Sequence, residues 1–232
     1  MKKIYIHVGH GGEDSGAVGS RFKEKDITLT VAKILRDNLK SNGFEVDMSR
    51  VTDVKNVNAP EKANNFKADV VISLHCNSYS DESARGVETY VYKFGGEAEK
   101  IANIINPKVA GAIKTLNRGV KKENFEIIRE TVAPAILIEM GFLTNPDEEK
   151  KLSNSQYQTN IAMGITSGLL QYFDLDNTGF GYDNIPDKYA KEAVDWAIEK
   201  GILKGDDSGS FLLHKNITRQ DAIVFLYRAI NK

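Results

Sequence analysis

Two of the four histidines in this 232-residue chain stand where an apolar core has no use for an imidazole. His10 lies in Val8-Gly-His-Gly-Gly, directly after the run Ile4-Tyr-Ile-His-Val8, and His75 lies in Ser73-Leu-His-Cys-Asn-Ser, near the end of the apolar run 68–77. Glu139 closes a third run, Pro134-Ala-Ile-Leu-Ile-Glu. Such apolar, β-branched runs read as strands, and glycines on both sides of His10 let its backbone turn sharply. All three polar groups then sit at the C-terminal ends of strands, where α/β sheets hold ligands. A neutral imidazole there is either capped by a backbone carbonyl or bound to a metal. Two imidazoles and a carboxylate, with one position left to water, form a catalytic zinc set.

The elements that must position these groups alternate along the chain. Ile27, Val31, Ile34 and Leu35 recur at helical spacing behind Asp26, a candidate N-cap, and Asn42-Gly43 stops that helix. Residues 44–48 alternate as a strand, a short helix is expected through Lys62 to Phe66, and 86–92 alternate as a strand less buried than the one at His75. A stripe of Ala98, Ile101, Ile104 and Ile105 predicts a helix that Pro107 should interrupt or restart. Residues 125–128 read as a further strand, and Ile161, Ile165 and Leu169 mark a helix ending near Phe173. Strands alternating with helices predict a three-layer α/β/α domain, residues 1–173, around a mainly parallel twisted sheet.

Residues 174–183 are rich in Asp, Asn and Gly and read as a linker. Beyond them, Tyr189, Ala193, Trp196 and Ala197, then Ile223, Leu226 and Tyr227, predict two helices, the second opened by Thr218 with Asp221. This small helical C-terminal domain, 184–232, has little room for a core of its own, so packing on the main domain or self-association is expected, with Tyr189 and Trp196 inside.

Thirty-one basic residues against 32 acidic ones leave a net charge of −1, which argues against a nucleic-acid partner recruited by bulk positive charge. No apolar window is long enough to span a bilayer, so no membrane partner is expected. Met1-Lys2-Lys3 begins like a signal peptide, but the short apolar run enters the glycine turn rather than a cleavage site and is read as the first core strand. The single cysteine, Cys76, cannot form an internal disulfide, and strand alternation turns it away from His75.

Five segments stand in family order: Val8-Gly-His-Gly-Gly, Ser73-Leu-His-Cys-Asn-Ser, Gly86-Val-Glu-Thr-Tyr, Asn117-Arg-Gly-Val-Lys, and Ala135-Ile-Leu-Ile-Glu-Met-Gly-Phe-Leu-Thr-Asn. Over residues 2 to about 173 the chain resembles the zinc-dependent N-acetylmuramoyl-L-alanine amidases of bacterial autolysins and phage endolysins. The resemblance implies one zinc ion on His10, Glu24 and His75, Glu139 as the catalytic glutamate, and peptidoglycan as substrate, cut between the lactyl group of muramic acid and L-alanine. On residue type alone, Glu24 is only an acid compensating a helix start. His7 stands where the family carries Asp and is assigned a supporting role. An arginine common in the family is missing from Asn58-Ala-Pro-Glu-Lys-Ala-Asn. Asn77 and Asn145 either shape the cleft or turn the chain.

The tail segments Tyr182-Asp-Asn-Ile-Pro, Ala193-Val-Asp-Trp-Ala-Ile-Glu-Lys-Gly-Ile, Gly209-Ser-Phe and Ile217-Thr-Arg-Gln resemble one S-layer-homology module, with Leu213 where proline is typical. Such a module implies a secondary cell-wall polymer as partner, with Arg219 a candidate contact and His214 a surface residue. Action at the bacterial wall follows, by a phage or prophage endolysin made in the host cytoplasm or by a secreted mature enzyme. Two other readings remain at this point: a zinc peptidase cutting within the stem peptide, and a wall-binding protein with an inactive head.

Overall fold

The structure, a computed structural model, describes residues 1–175, 190–204 and 219–230. The chain divides into two compact units, Met1–Tyr172 and Phe173–Lys232. The first is built on six strands: β1 (Lys3–Val8), β2 (Glu45–Met48), β3 (Val70–Asn77), β4 (Val87–Val91), β5 (Asn117–Lys122) and β6 (Ala135–Phe142). They lie in the order β2-β1-β3-β6-β4-β5, and every neighbouring pair is parallel except β4–β6. β1, β3 and β6 occupy the middle, which explains their nearly unbroken apolar sequences: both faces are covered.

One face carries α1 (Glu24–Ser41), α3 (Glu97–Ala112) and α6 (Ser155–Tyr172). On the other, α2 (Ala59–Phe66) and α4 (Glu126–Arg129) close a cluster of Tyr5, Ala63, Val71, Ile127, Ile128 and Leu137. α5 (Pro146–Leu152) follows β6 directly, its first turn capped by the Asn145 side chain, which accepts from the Asp147 and Glu148 N–H groups at 3.0 Å each. The result is an α/β/α unit with a mainly parallel sheet.

Several local expectations are corrected. α1 begins at Glu24 with Lys23, not Asp26, at its N-cap. Pro107 does not end α3, which runs on to Ala112. The turn beyond Pro107 carries buried Val109 and Ala110 against α6, where a Cβ on Gly164 would lie 2.8 Å from Val109 Cα. A helix-interior proline costs about 3 kcal/mol, and close helix packing on both sides of it holds the segment. Residues 125–128 form the end of a loop and α4 rather than a strand. Four residues of apolar sequence do not separate the two by periodicity, and both isoleucines bury under the sheet from a helix just as well. β5 carries no sequence signal of a strand: it is an edge strand, intermediate to exposed throughout, and shows no apolar alternation.

In the second unit, α7 (Lys191–Glu199) and α8 (Arg219–Ile230) appear where helical spacing placed them. Arg228 Nη1 donates to the Ile202 carbonyl at 3.2 Å, tying α8 to the turn after α7. Trp196, expected inside, is 49% exposed, whereas Ile202 is buried; a unit this small has little interior to give. Most of the expected linker, along with Tyr189, Leu213, His214 and Thr218, lies outside the described residues, as does the Arg219 side chain. Among the described residues, no helix is long and apolar enough to cross a membrane.

Candidate active site

The site forms where β1, β3 and β6 end. Beyond β1 the chain makes the turn that Gly-His-Gly-Gly foretells, with His10 itself at φ 62°, a conformation rare for a side-chain-bearing residue and held only where the surroundings determine it. Gly9 lets this turn approach β3: a Cβ there would lie 2.6 Å from His75 Cε1. Gly16, at φ 63°, lets the following loop close over the site, since a Cβ would lie 2.4 Å from Glu24 Oε2 and 2.5 Å from His10 Cδ2. That loop leads into α1, whose first residue is Glu24.

Glu24 is 3% exposed and is the hinge of the arrangement. Its Oε1 faces His75 Nδ1 at 2.8 Å and His10 Nε2 at 3.1 Å, and accepts from the Cys76 N–H at 2.9 Å. Oε2 accepts from the Ala17 N–H at 2.7 Å. Burial works against its charge, but the hydrogen bonds from the two imidazoles outweigh it and draw the carboxyl down to about 2. For His10 burial acts downward, yet Glu24 and Asp14 raise it to about 9. The Asp14 carboxylate meets His10 Nδ1 at 2.9 Å, which fixes the ring and leaves Nε2 aimed at the shared point, the arrangement by which carboxylates orient metal-binding imidazoles. One donor atom from each of His10, Glu24 and His75 lies within 4.8 Å of the others, so the group could hold a metal ion. Two nitrogens and one oxygen converging this closely suit zinc with a fourth position open.

His7 does not join them. Its ring sits 5.8 Å from that of His75, with Nδ1 2.8 Å from Ser73 Oγ and Nε2 3.3 Å from Asn56 Nδ2. Burial, helped by the neighbouring His75, His10 and Arg50, pushes it down to about 3, so it is a neutral ring packed behind His75.

Glu139 lies beside His75 in the β3–β6 register. Its Oε2 is buried with no hydrogen-bond partner. Burial first, then the negative charges of Glu24 and Glu88, hold its carboxyl well above the usual range. A buried carboxyl with an unpartnered oxygen beside a metal-donor set has the placement of a general acid–base. Cys76 is buried, and its thiol is pushed up by burial.

Three buried polar residues escape a reading of the chain in order. Arg50, 3% exposed, donates from Nη2 to the Gly9 carbonyl at 3.1 Å and the Lys25 carbonyl at 2.7 Å. It thus ties the His10 turn to the start of α1, and so His10 to Glu24. Glu148 accepts from the Gly86 N–H at 3.0 Å, the Phe142 N–H at 2.8 Å and Thr115 Oγ1 at 3.1 Å. Glu149 accepts from Ser20 Oγ at 2.6 Å, the Arg21 N–H at 2.7 Å and the Phe22 N–H at 3.0 Å, and so pins the loop that delivers Glu24. Asn145 is a helix cap, while Asn77 donates to Glu88 at 2.7 Å. No signal in the local sequence marks the roles of Arg50, Glu148 and Glu149, because apart from Phe142 the partners named for them are distant in the chain.

The family model described as N-acetylmuramoyl-L-alanine amidase matches residues 4–171, and that of the S-layer homology domain matches residues 182–223. The sporulation-specific N-acetylmuramoyl-L-alanine amidase of Bacillus subtilis (strain 168) is 36% identical over 183 residues, which is 77% of this chain and 71% of the relative. The germination-specific N-acetylmuramoyl-L-alanine amidase of the same organism is 35% identical over 191 residues, 74% of this chain and 80% of the relative. Among solved structures, the catalytic domain of CwlV, an N-acetylmuramoyl-L-alanine amidase from Bacillus (Paenibacillus) polymyxa var. colistinus, matches with a TM-score of 0.73 at 36% identity, covering 76% of this chain and 100% of that one.

Proposed function

The chain belongs to the N-acetylmuramoyl-L-alanine amidase family, and from that premise we propose that this peptidoglycan amidase hydrolyses the bond between the lactyl carbonyl of muramic acid and the amino nitrogen of L-alanine, with zinc on His10, Glu24 and His75 and with Glu139 handling the proton. Zinc, when bound, supplies a Lewis acid that polarises the amide carbonyl and brings the pKa of a water molecule toward neutrality.

The chain's own residues supply the rest. Asp14, through His10 Nδ1, and the Cys76 and Ala17 N–H groups, through Glu24, hold the donors in place before any ligand arrives. Glu139 takes a proton from the attacking water as the water oxygen bonds to the lactyl carbonyl carbon, then delivers it to the alanine nitrogen as the C–N bond breaks. The products are a lactyl carboxylate and the alanine ammonium, which takes up the second proton of the water. Burial that raises the carboxyl makes it a stronger base toward that proton than an ordinary glutamate.

The observation that carries this reading is the unpartnered, buried Oε2 of Glu139, one strand from His75. Burying such an atom costs about 1–3 kcal/mol unless a group from outside the protein pairs with it. Mass spectrometry of digested peptidoglycan tests it: stem peptides with a free L-alanine amino terminus are expected. New termini only inside the peptide would replace the amidase by a stem-peptide peptidase, and no release by zinc-loaded protein would leave a wall-binding head. To the second unit we assign attachment to a secondary cell-wall polymer, supported by the S-layer homology match at residues 182–223; the site of action is then the bacterial wall.

A further inference from the structure

Glu88 of β4 lies directly beside Glu139 in the antiparallel β4–β6 register, as His75 lies beside it on the other flank. One row of the sheet therefore reads His75, Glu139, Glu88, at strand spacings of about 4.8 Å. Glu88 is 2% exposed, and four donors saturate it. Oε1 accepts from Asn77 Nδ2 and the Tyr90 hydroxyl at 2.7 Å each; Oε2 accepts from Arg118 Nε at 2.6 Å and Lys121 Nζ at 2.5 Å.

Two cations share the one carboxylate of Glu88 on this flank. Both cations reach solvent, at 30% side-chain exposure for Arg118 and 39% for Lys121, whereas the Glu88 side chain is 3% exposed. The guanidinium is further fixed by the Phe142 ring, whose centroid lies 4.8 Å away, and by Nη1 donating to the Arg85 carbonyl at 3.2 Å. Among the described residues, Arg118 Nη2 has no protein partner, and the Lys121 ammonium has Glu88 alone as a hydrogen-bond partner. Ordinary surface cations are neither held by a buried acid nor seated on a ring. A charge buried beside another acid costs several kcal/mol unless well paired, and here the pairing holds two donors in one place.

We infer that Arg118 and Lys121, positioned by Glu88, form a subsite for a carboxylate of the stem peptide, on the side of Glu139 away from the metal donors. This rests on the amidase reading. The cations stand about two strand spacings from Glu139, roughly 10 Å along the sheet edge, and their long side chains reach part of the way back. An extended peptide advances about 3.3–3.6 Å per residue, so the acid that fits belongs one to two residues past the scissile nitrogen. In a stem peptide whose second residue is a γ-linked glutamate, that acid is its free α-carboxylate. A chain amidated at that position offers no charge to the subsite.

The test uses the full zinc-loaded chain and two synthetic ligands, muramoyl-L-alanyl-γ-D-glutamate with its α-carboxylate free and the same compound as the α-carboxamide. Calorimetric binding to the Glu139→Gln chain should favour the free acid about tenfold, the range expected of one charge-assisted hydrogen bond, and kcat/KM of the unaltered chain should follow through KM. Lys121→Gln, which leaves the Arg118–Glu88 pair intact, should lose most of that preference while retaining affinity for the carboxamide. Arg118→Lys should keep part of it, and Arg118→Gln should remove it. Equal affinity for the two ligands in the Glu139→Gln chain, or a preference that survives both Lys121→Gln and Arg118→Gln, overturns the subsite. Failure of the amidase reading shows separately, as absence of turnover of either ligand by the unaltered chain.

Discussion

Glu139 and Glu88 are neighbours in register on adjacent strands, yet they live in opposite chemical worlds. Glu88 has four donors, and the hydrogen bonds of Lys121, Tyr90 and Arg118 outweigh its burial and hold its carboxyl below the ordinary value. Glu139 has a buried oxygen with no donor, and its carboxyl is held well above that value. The same residue type, one strand apart, is thus an anchored anion in one place and, in the proposed mechanism, a proton carrier in the other. What separates them is the supply of N–H and O–H groups and not depth alone. β5, at the sheet edge, brings Arg118 and Lys121 to Glu88, while the neighbours of Glu139 are a metal-donor set and another acid.

Replacing each by glutamine should break the comparison in opposite ways. Glu139→Gln should lower hydrolysis about 10³-fold, the middle of the range for a lost general acid–base, with the chain unfolding at the same urea concentration or a higher one at pH 7. The neutral amide removes a charged form that the buried site disfavours. If that variant keeps its activity, or unfolds much more readily than the unaltered chain, Glu139 is an anchor like its neighbour.

Glu88→Gln should do the reverse, costing stability by about 3 kcal/mol at pH 7, as when one partner of a buried pair is removed. A carboxyl depressed in the folded state contributes stability above its unfolded value, near 4.5, and loses it as pH falls through the folded value. The gap between the unaltered and Glu88→Gln chains in urea denaturation should therefore be widest at neutral pH and narrow below pH 4.5. A gap that stays constant with pH would mean that Glu88 acts by shape rather than by charge.

The metal-donor flank gives an effect of similar size. Zinc at a hundred times its dissociation constant should raise the unfolding free energy by about 2.7 kcal/mol, and His75→Ala should abolish that increment. An unchanged urea midpoint on adding zinc to metal-free protein would remove His10, Glu24 and His75 as ligands.

How much of this is legible in the sequence follows from where each residue finds its partners. His75 and Glu139 are visible because a polar group closes a run that is otherwise all apolar, and the strands they end are central ones. His10 is visible through its glycines. Glu24 is not visible in this way: it follows a polar loop with no pattern, and only the closure of residues 9–23 onto β3 brings it to the imidazoles. The resemblance to the amidases named it, and the fold places it beside His10 and His75. The sequence around Glu88 and Arg118 does not reveal their roles, because what makes Glu88 an anchor is a cation 30 residues on and another 33 on. β5 and α4 are hidden in the sequence for a related reason: an edge strand need not alternate, and a segment as short as 125–128 buries its isoleucines as helix or strand.

Glu149 extends the contrast to a third acid, with the smallest expected effect. It lies outside the metal-donor group and away from the β3–β6 row, but its carboxylate accepts from Ser20 Oγ and from the Arg21 and Phe22 N–H groups, two to four residues ahead of Glu24. Those bonds lower its carboxyl against the effect of burial. Glu149→Gln retains one acceptor oxygen but loses the charge, so about 1 kcal/mol of stability should go. If the loop pinned by Glu149 delivers Glu24 to the imidazoles, its loosening should also weaken zinc binding severalfold while kcat at saturating zinc stays near that of the unaltered chain. That split separates a residue that presents a ligand from one that moves a proton. Equal loss of kcat at saturating zinc would place Glu149 with Glu139, and unchanged zinc affinity with lowered stability would leave it a strut between α5 and the loop.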